Sequence, residues 1–193
     1  TTDELLPVYD SARTLNMLNA KYIIYNPEAQ PLINSKAMGN AWFVEEAVMV
    51  NDANEEIISL NTIDTRKKAV INTLFKDQIT KSSYPVKGND TIELLSYQPN
   101  ELVYKYSASS EKLVVFSEIY YPAGWKCFID GQAADHFRAN YVLRAMTVPE
   151  GTHEIRFVFE PDSYHYGNRV SLASSIILIL LLAGSLVVKL RKK

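Results

Sequence analysis

Apolar and polar residues alternate over much of the second half of the chain, which is the pattern of β-strands with one wet face. The clearest segment is 153–160 (HEIRFVFE), in which Ile155, Phe157 and Phe159 alternate with mostly charged residues. Turn sequences such as Asp130-Gly131 separate the apolar runs and favour antiparallel hairpins. The pattern predicts six strands, at 91–97, 102–107, 112–121, 125–130, 141–148 and 152–160.

The first half of the chain has a mixed pattern. A strand is predicted at 21–25 (KYIIY), followed by a long loop at 26–40 that is rich in Pro and Asn. Residues 42–50 (WFVEEAVMV) indicate another strand. In this segment the adjacent Glu45 and Glu46 break the alternation, which suggests a bulge or a sheet edge.

The segment 54–75 carries apolar residues at helical spacing, among them Ile63, Val70 and Leu74. This spacing predicts one inserted helix. A short strand at 69–71 is the alternative that the pattern leaves open.

The segment 170–188 (VSLASSIILILLLAGSLVV) contains nineteen residues and no charge. At about 1.5 Å per residue it is long enough to cross the roughly 30 Å hydrocarbon layer of a membrane, so a transmembrane helix is predicted. The basic tail 189–193 marks the cytoplasmic side, whereas Tyr164 and Tyr166 in the linker 162–169 suit the outer headgroup layer. We therefore expect residues 1–169 to be extracytoplasmic in a cell membrane.

The expected fold is mainly β. Short strands with polar turns favour a β-sandwich over a parallel sheet. We expect an antiparallel, jelly-roll-like β-sandwich at 41–161 that contains the inserted helix, a small α/β N-terminal part with a helix, strand and loop at 1–40, and one C-terminal transmembrane helix.

The charge balance narrows the range of partners. Without the four cations of the tail, 16 Lys and Arg remain against 22 Asp and Glu, so the expected outer part has a net charge of −6. An acidic surface does not favour nucleic acid, which binds clustered cations. The single cysteine, Cys127, cannot form an internal disulfide and is expected to be a small buried apolar residue.

No catalytic, metal or cofactor motif stands out in the sequence. His136, His153 and His165 are far apart and lack the short spacing of a metal site. A glycine-rich phosphate loop is missing, and the carboxylates show no pairing of the kind that glycoside hydrolysis requires. We therefore expect no catalytic residue, metal or cofactor in this chain.

Several motifs resemble those of one protein family. The segments SEIYYPAGWKCFIDG (117–131), RANYVLRAMTVPEGTHEIRF (138–157) and FEPDSYHYGN (159–168) resemble the C-terminal region of the bacterial YfhO membrane-protein family. Upstream, LNMLNAKYII (15–24) and GNAWFV (39–44) are similar to the same family. Family members often have Pro-Gly-Trp, whereas here Ala123 lengthens the turn before Trp125.

The resemblance implies a large polytopic membrane protein similar to GT-C glycosyltransferases, which take a sugar from a polyprenyl-phosphate carrier on the outer side of the membrane. In such enzymes the catalytic carboxylate lies in an early outer loop, so the chemistry is expected upstream of this chain. The chain itself is then a fragment: a non-catalytic extracytoplasmic accessory domain that contacts the upstream transmembrane region and handles a cell-surface glycan or a polyprenyl-linked sugar.

Seven residues of the strand-rich part are candidates for glycan contact, because aromatic faces pack on sugar rings and polar side chains bond hydroxyls. Packing in the sandwich core or at its rim is the alternative for each of them. Tyr121 is weighed with six residues that form the predicted contact set: Tyr120, Trp125, Arg138, Asn140, Tyr141 and Arg144.

Two other functions remain open from the sequence. A free-standing surface module that binds carbohydrate or protein on a single anchor would also have a span followed by Lys and Arg, although the LPxTG sorting signal is missing before Val170. A structural role as an assembly interface for other membrane subunits is the third interpretation. The number of spans that precede the chain distinguishes the first two.

Overall fold

The computed structural model describes residues 12–191, most of which lie in the strands of two large β-sheets or in one long helix. The helices are α1 (Arg13–Met17), α2 (Ala53–Leu60), α3 (Asp162–Arg191) and a 3-10 helix (Thr73–Gln78). The strands are β1 (Tyr22–Ile23), β2 (Leu32–Ile33), β3 (Ala41–Val44), β4 (Glu46–Val50), β5 (Lys68–Asn72), β6 (Thr91–Gln98), β7 (Glu101–Ala108), β8 (Lys112–Ile119), β9 (Trp125–Ile129), β10 (Gln132–Ala134), β11 (Phe137–Ala139), β12 (Leu143–Val148) and β13 (Gly151–Phe159).

The larger sheet has the strand order β3-β8-β12-β11-β5-β4, and the smaller sheet has the order β10-β9-β13-β7-β6. Strands β1 and β2 pair separately as a short antiparallel ribbon. Neighbouring strands in the large sheets are antiparallel, with the exception of β4 and β5, which are parallel and joined through α2. This β-α-β unit gives an α/β element to an otherwise antiparallel fold.

The larger sheet curls back on itself at Glu45. Its two edge strands, β3 and β4, are separated in sequence by this one residue, so their joined ends lie within about 7 Å of each other. The edges of a flat six-stranded sheet would be about 24 Å apart at the usual spacing of neighbouring strands. The sheet therefore has a concave face and a convex face.

The concave face encloses a first apolar core. Alternate residues of the curled strands form its wall, with Trp42 and Ile71 among them, and Met17 of α1 also belongs to it. Tyr84 lies in the same core with no exposed area, and Phe75 of the 3-10 helix packs against it. The loops and short helices that follow β5 are thus held by this core.

The convex face packs against the smaller sheet through a second apolar core. Phe116 of β8 meets Tyr104 of β7 at 4.9 Å and Phe157 of β13 at 5.0 Å between ring centroids, both in edge-to-face geometry. Cys127 and Met146 lie in the same core. This pair of facing sheets is the mainly β sandwich that the alternation predicts, and the predicted fold class is confirmed.

The prediction of a helix over 54–75 is wrong in its extent. Helix α2 ends at Leu60, and β5 occupies Lys68–Asn72, as the alternative of a short strand at 69–71 requires. The predicted loop 26–40 also contains strand β2, and β10 and β11 were not predicted. The helix expected before residue 20 is present as α1, while residues 1–11 lie outside the described residues.

Among the described residues, α3 is the one helix that is long and apolar enough to cross a membrane, with a mean hydropathy of 2.5 in its most apolar window. It begins at Asp162, so the residues predicted to form a linker before 170 are its first two turns. The hydroxyls of Ser174 and Ser175 donate to the carbonyl oxygens four residues earlier at 2.8 and 2.9 Å. These serines therefore expose no unsatisfied hydroxyl to an apolar surrounding.

Candidate functional site

A surface cleft of about 500 Å³ lies where the sandwich joins α3. Strand β9 begins at this point and β13 ends there, so the cleft is the end of the sandwich that faces the apolar helix. We call it the junction cleft. Its lining residues are Tyr121, Pro122, Ala123, Gly124, Trp125, Lys126, Phe159, Glu160, Pro161, Asp162 and Ser163.

Three aromatic rings form the apolar part of the junction cleft. Trp125 and Phe159 are directly opposite each other in the β9-β13 pair, with ring centroids 5.3 Å apart. Tyr121 follows β8, and its ring centroid lies 6.4 Å from that of Phe159. The side chain of Tyr121 is 52% exposed, so its ring is accessible from solvent. The cleft therefore presents flat apolar surfaces of the kind that pack on a ligand ring.

Gly124 shapes the floor of the junction cleft. Its φ of +125° is a conformation that only glycine adopts readily, and a Cβ there would lie 2.8 Å from Phe159 Cε2 and 3.0 Å from Pro161 Cβ. The Glu160 amide donates to the Gly124 carbonyl oxygen at 2.7 Å. The turn before Trp125 is thereby fastened to the segment that enters α3.

Charge in the junction cleft is low and mostly paired. Lys126 Nζ lies 3.1 Å from Glu160 Oε2, and both side chains are about half exposed at 48% and 49%. Asp162 adds a second carboxylate in the first turn of α3. Lys126 is the only cation among the lining residues that the structure describes, so the cleft has no free cation for a phosphate.

Arg144 lies behind Trp125, in the interior of the sandwich. Its guanidinium carbon is 4.5 Å from the centroid of the Trp125 ring and 4.5 Å from that of Phe157, and the residue is 1% exposed. Only Nη2 has a hydrogen bond within the described residues, to the Ile119 carbonyl oxygen at 3.4 Å, whereas Nε and Nη1 have no partner there. The cation is held mainly by two aromatic faces.

Other ionisable groups near Arg144 are shifted by burial. Burial lowers the pKa of His136 to about 4, and the charge of Arg144 adds to this, so the imidazole is neutral near pH 7. Burial raises the pKa of Glu118, while Arg144 pulls it down. The pKa of Arg144 itself is lowered by burial and supported by Glu118. Glu118 is thus the nearest electrostatic counterpart of the buried arginine.

Three of the predicted contact residues form the turn between β11 and β12. Asn140 and Tyr141 have φ values of +49° and +70°, as a tight type I′ hairpin turn requires. Asn140 exchanges hydrogen bonds with the Val70 backbone, and the buried carboxylate of Glu56 accepts from Arg138 at 3.0 Å and from the Tyr141 amide at 2.9 Å. The turn is therefore fixed to α2 and β5, and its polar atoms are largely occupied.

Tyr120 lies between the two groups. Its ring meets Phe75 at 5.8 Å and His136 at 5.7 Å between centroids, and its amide donates to the Val142 carbonyl oxygen at 2.8 Å. Of the six predicted residues, Trp125 alone lines the junction cleft, with Arg144 directly behind it. The structure does not bring Arg138, Asn140 and Tyr141 to this cleft, and glycan contact by any of the six stays a prediction.

The family model described as bacterial membrane protein YfhO matches residues 48–171, which are 124 of the 193 residues. The chain belongs to the YfhO family. The matched part of this YfhO-family chain runs from β4 to the first turns of α3 and contains the whole junction cleft. Neither the comparison with curated proteins nor the comparison with solved structures gave a match.

Membership of the YfhO family, together with the apolar helix α3, supports membrane association of the chain. The upstream motifs at 15–24 and 39–44 lie outside the matched residues. Family motif and structure meet at 117–131, which supplies Tyr121, Gly124 and Trp125 to the cleft.

Sequence reasoning missed Lys126, Phe159 and Glu160 as lining residues of the junction cleft. A signal for Phe159 was present, because it is the last inward residue of the alternating segment 153–160 and stands directly before the span. The cross-strand partner of that position could not be read without the strand register. Trp125 was selected for its ring alone, and its pairing with Phe159 is a result of the fold.

The described residues show no constellation for covalent chemistry at the cleft. They contain no group of three or more His, Cys, Asp or Glu side chains that could hold a metal ion. Burial raises the pKa of the Cys127 thiol to about 12, so this sulfur is protonated near pH 7. What the cleft offers is a surface for non-covalent contact.

Proposed function

We propose that this YfhO-family chain is a non-catalytic extracytoplasmic accessory domain of a polytopic membrane glycosyltransferase. That enzyme would use polyprenyl-phosphate-linked sugars to modify cell-surface glycans or polymers, with its catalytic residues in the membrane region upstream. The junction cleft would hold the glycan beside the membrane while the sugar is transferred. The C-terminal tail would then be cytoplasmic and residues 1–169 would lie outside.

The observation that carries the proposal is the position of the junction cleft. Its aromatic walls stand directly at the first turn of α3, the helix that is apolar enough to cross a membrane. A ligand in this cleft lies at the height of the lipid headgroups if α3 spans the bilayer. A glycan carried by a lipid or a wall polymer would reach the cleft there, whereas a soluble metabolite has no reason to bind so close to the membrane.

The chemistry of the cleft agrees with a binding role. Tyr121, Trp125 and Phe159 provide apolar faces, and the carboxylates of Glu160 and Asp162 can accept hydrogen bonds from hydroxyl groups. Sugar rings combine an apolar face with hydroxyls at their edge, which matches this combination of groups. The cleft lacks an activated nucleophile and a metal site among its described residues, so we assign it to positioning.

The proposal is tested by sugar transfer in membranes that contain the full-length protein. Tyr121→Ala removes a ring that is 52% exposed and is expected to lower transfer about three- to tenfold through weaker acceptor binding. Tyr97→Ala is the matched control, because Tyr97 is 62% exposed and does not line the cleft. The control should transfer sugar at the wild-type rate.

Equal transfer by both tyrosine variants, at wild-type protein levels, would reject the role of the cleft. The same experiment addresses a module on a single anchor that binds carbohydrate or protein. If the full-length protein has no upstream spans and glycan binding falls without any change in transfer, this alternative replaces the accessory role. A loss of both binding and transfer supports the proposal as stated.

A further inference from the structure

We propose that the junction cleft binds the face of a neutral sugar ring of a membrane-anchored glycan, on a Trp125 platform that Arg144 holds in place from behind. This inference rests on the proposed function and deepens it, since it names the chemical class of the ligand and adds a positioning residue. It predicts that the cleft selects the sugar part of a lipid-linked glycan and not its phosphate.

The platform is the indole of Trp125. One of its faces is covered by the guanidinium of Arg144 at 4.5 Å, and Arg144 is 1% exposed, so that face is turned into the sandwich. Trp125 nevertheless lines the junction cleft, and therefore its remaining accessible surface is turned outward. The ring of Phe159 meets it at an interplanar angle of 49°, which leaves a concave aromatic corner.

The charges of the cleft argue against a phosphate ligand. A phosphate is bound through unpaired cations or exposed backbone amides. Here the one lining cation, Lys126, is paired with Glu160 at 3.1 Å, and Asp162 leaves the described lining with one excess negative charge. A dianionic headgroup would be repelled, whereas the hydroxyls of a neutral sugar can donate to these carboxylates.

Arg144 does not reach the cleft itself, so its effect on a ligand acts through Trp125. It stacks between the rings of Trp125 and Phe157, with 4.5 Å from its guanidinium carbon to each centroid. Its Nε and Nη1 have no hydrogen-bond partner among the described residues, which leaves the aromatic faces as its main contacts. A buried cation retained in this way fixes the orientation of the indole, because rotation of the ring would leave the charge without its partner.

The test uses full-length protein labelled with 5-fluorotryptophan in phosphatidylcholine nanodiscs. The discs carry a diglucosyl diacylglycerol, a polyprenyl phosphate, or neither, and the ¹⁹F resonance of Trp125 is assigned by its loss in Trp125→Phe. We expect a saturable shift of this resonance with the neutral glycolipid and none with the polyprenyl phosphate. Trp42 lies in the other core, so its resonance reports whether the fold is intact.

Two variants test the positioning residue. In Arg144→Met the Trp125 resonance should move before any glycolipid is added, and glycolipid binding should weaken about tenfold, with the Trp42 resonance unchanged. Arg144→Lys retains the charge but not the planar stack, and it should show the same changes to a smaller extent. If Arg144→Met fails to fold, the Lys variant carries the test alone.

The outcomes separate this inference from the proposed function. A shift with the polyprenyl phosphate alone, or an unchanged Trp125 resonance and unchanged binding in both Arg144 variants, overturns the inference. Loss of sugar transfer in Tyr121→Ala without neutral glycolipid binding would reject the ligand class and leave the accessory role. Binding of the neutral glycolipid with unchanged transfer would reject the accessory role and leave the site.

Discussion

Gly124 is the position at which one added methyl group should disturb the junction cleft most. A Cβ at this residue would lie 2.8 Å from Phe159 Cε2, 3.0 Å from Pro161 Cβ and 3.2 Å from Pro161 Cα. The φ of +125° is also unfavourable for any residue with a side chain. Gly124→Ala therefore combines a backbone strain with a clash.

The two effects can be given magnitudes. A residue with a side chain in a sparsely populated backbone region costs about 1–3 kcal/mol. Overpacking against Phe159 and the Pro161 backbone adds about 1–2 kcal/mol, because the Phe159 ring can move but the backbone of the junction moves less readily. We expect a total loss of about 2–4 kcal/mol, which corresponds to a Tm lower by about 5–15 °C.

Two other glycines provide matched controls for thermal unfolding of the purified protein. Gly131 has a φ of +79° and no atom within 4 Å of an added Cβ, so Gly131→Ala measures backbone strain alone, at about 1 kcal/mol. Gly88 has open space and no positive φ, and Gly88→Ala should change the stability by less than about 0.5 kcal/mol. A Gly124→Ala protein that melts together with Gly88→Ala would refute the reasoning.

Buried groups away from the cleft give three further predictions. Lys112 Nζ lies 2.8 Å from Asp90 Oδ2 with both side chains fully covered, so Lys112→Met should cost about 3 kcal/mol in urea unfolding, while the exposed Lys105→Met should cost less than about 0.5; equal losses would contradict this. Burial opposes ionisation of Asp90, but hydrogen bonds from Lys112 and two backbone amides outweigh it and hold the folded pKa well below 3.8, so this stabilisation is complete above pH 4 or so and should be lost as the pH falls below that value, with no such loss in Asp90→Asn. Cys127 is buried with a raised pKa of about 12, so iodoacetamide at pH 8 should label it only after unfolding, and labelling of the folded protein would show that the core opens.

The strands of the sandwich could be predicted because their signal is local. The alternating segment 152–160 corresponds to β13 at Gly151–Phe159, and its wet face needs no knowledge of the partner strand. The Asp130-Gly131 turn was equally readable, since both residues have positive φ and such a pair closes a tight hairpin. Both features are set within ten residues of sequence.

The segment 54–75 failed because β5 is buried on both faces. Ala69, Val70 and Ile71 have no exposed area, so the strand shows a continuous apolar run instead of alternation. Added to the apolar residues of the 3-10 helix, this run imitates helical spacing. The curl of the larger sheet explains both the covering of one face and the sheet edges that the two adjacent glutamates suggested.

The predicted contact set was chosen by residue type, and the fold divides it. Arg138 and Arg144 are cross-strand neighbours in the β11-β12 pair, yet Arg138 binds Glu56 and Arg144 stacks on Trp125. Sequence alone does not reveal which arginine meets a carboxylate from a distant helix. A register shift between Leu143 and Arg144 also changes which residues of β8 lie opposite, and no local pattern announces it.

Photo-crosslinking from the cleft is the most direct test of the central claim that this domain holds a glycan beside the membrane. A benzoylphenylalanine that replaces Tyr121 in the full-length protein should, in native membranes, form an adduct that carries sugar. Thr152 is the control, because it is exposed and lies on β13 about 23 Å from the cleft end of that strand. Sugar-bearing adducts from position 121 but not from 152 are the predicted result, whereas adducts that contain only protein or lipid without sugar would contradict the account.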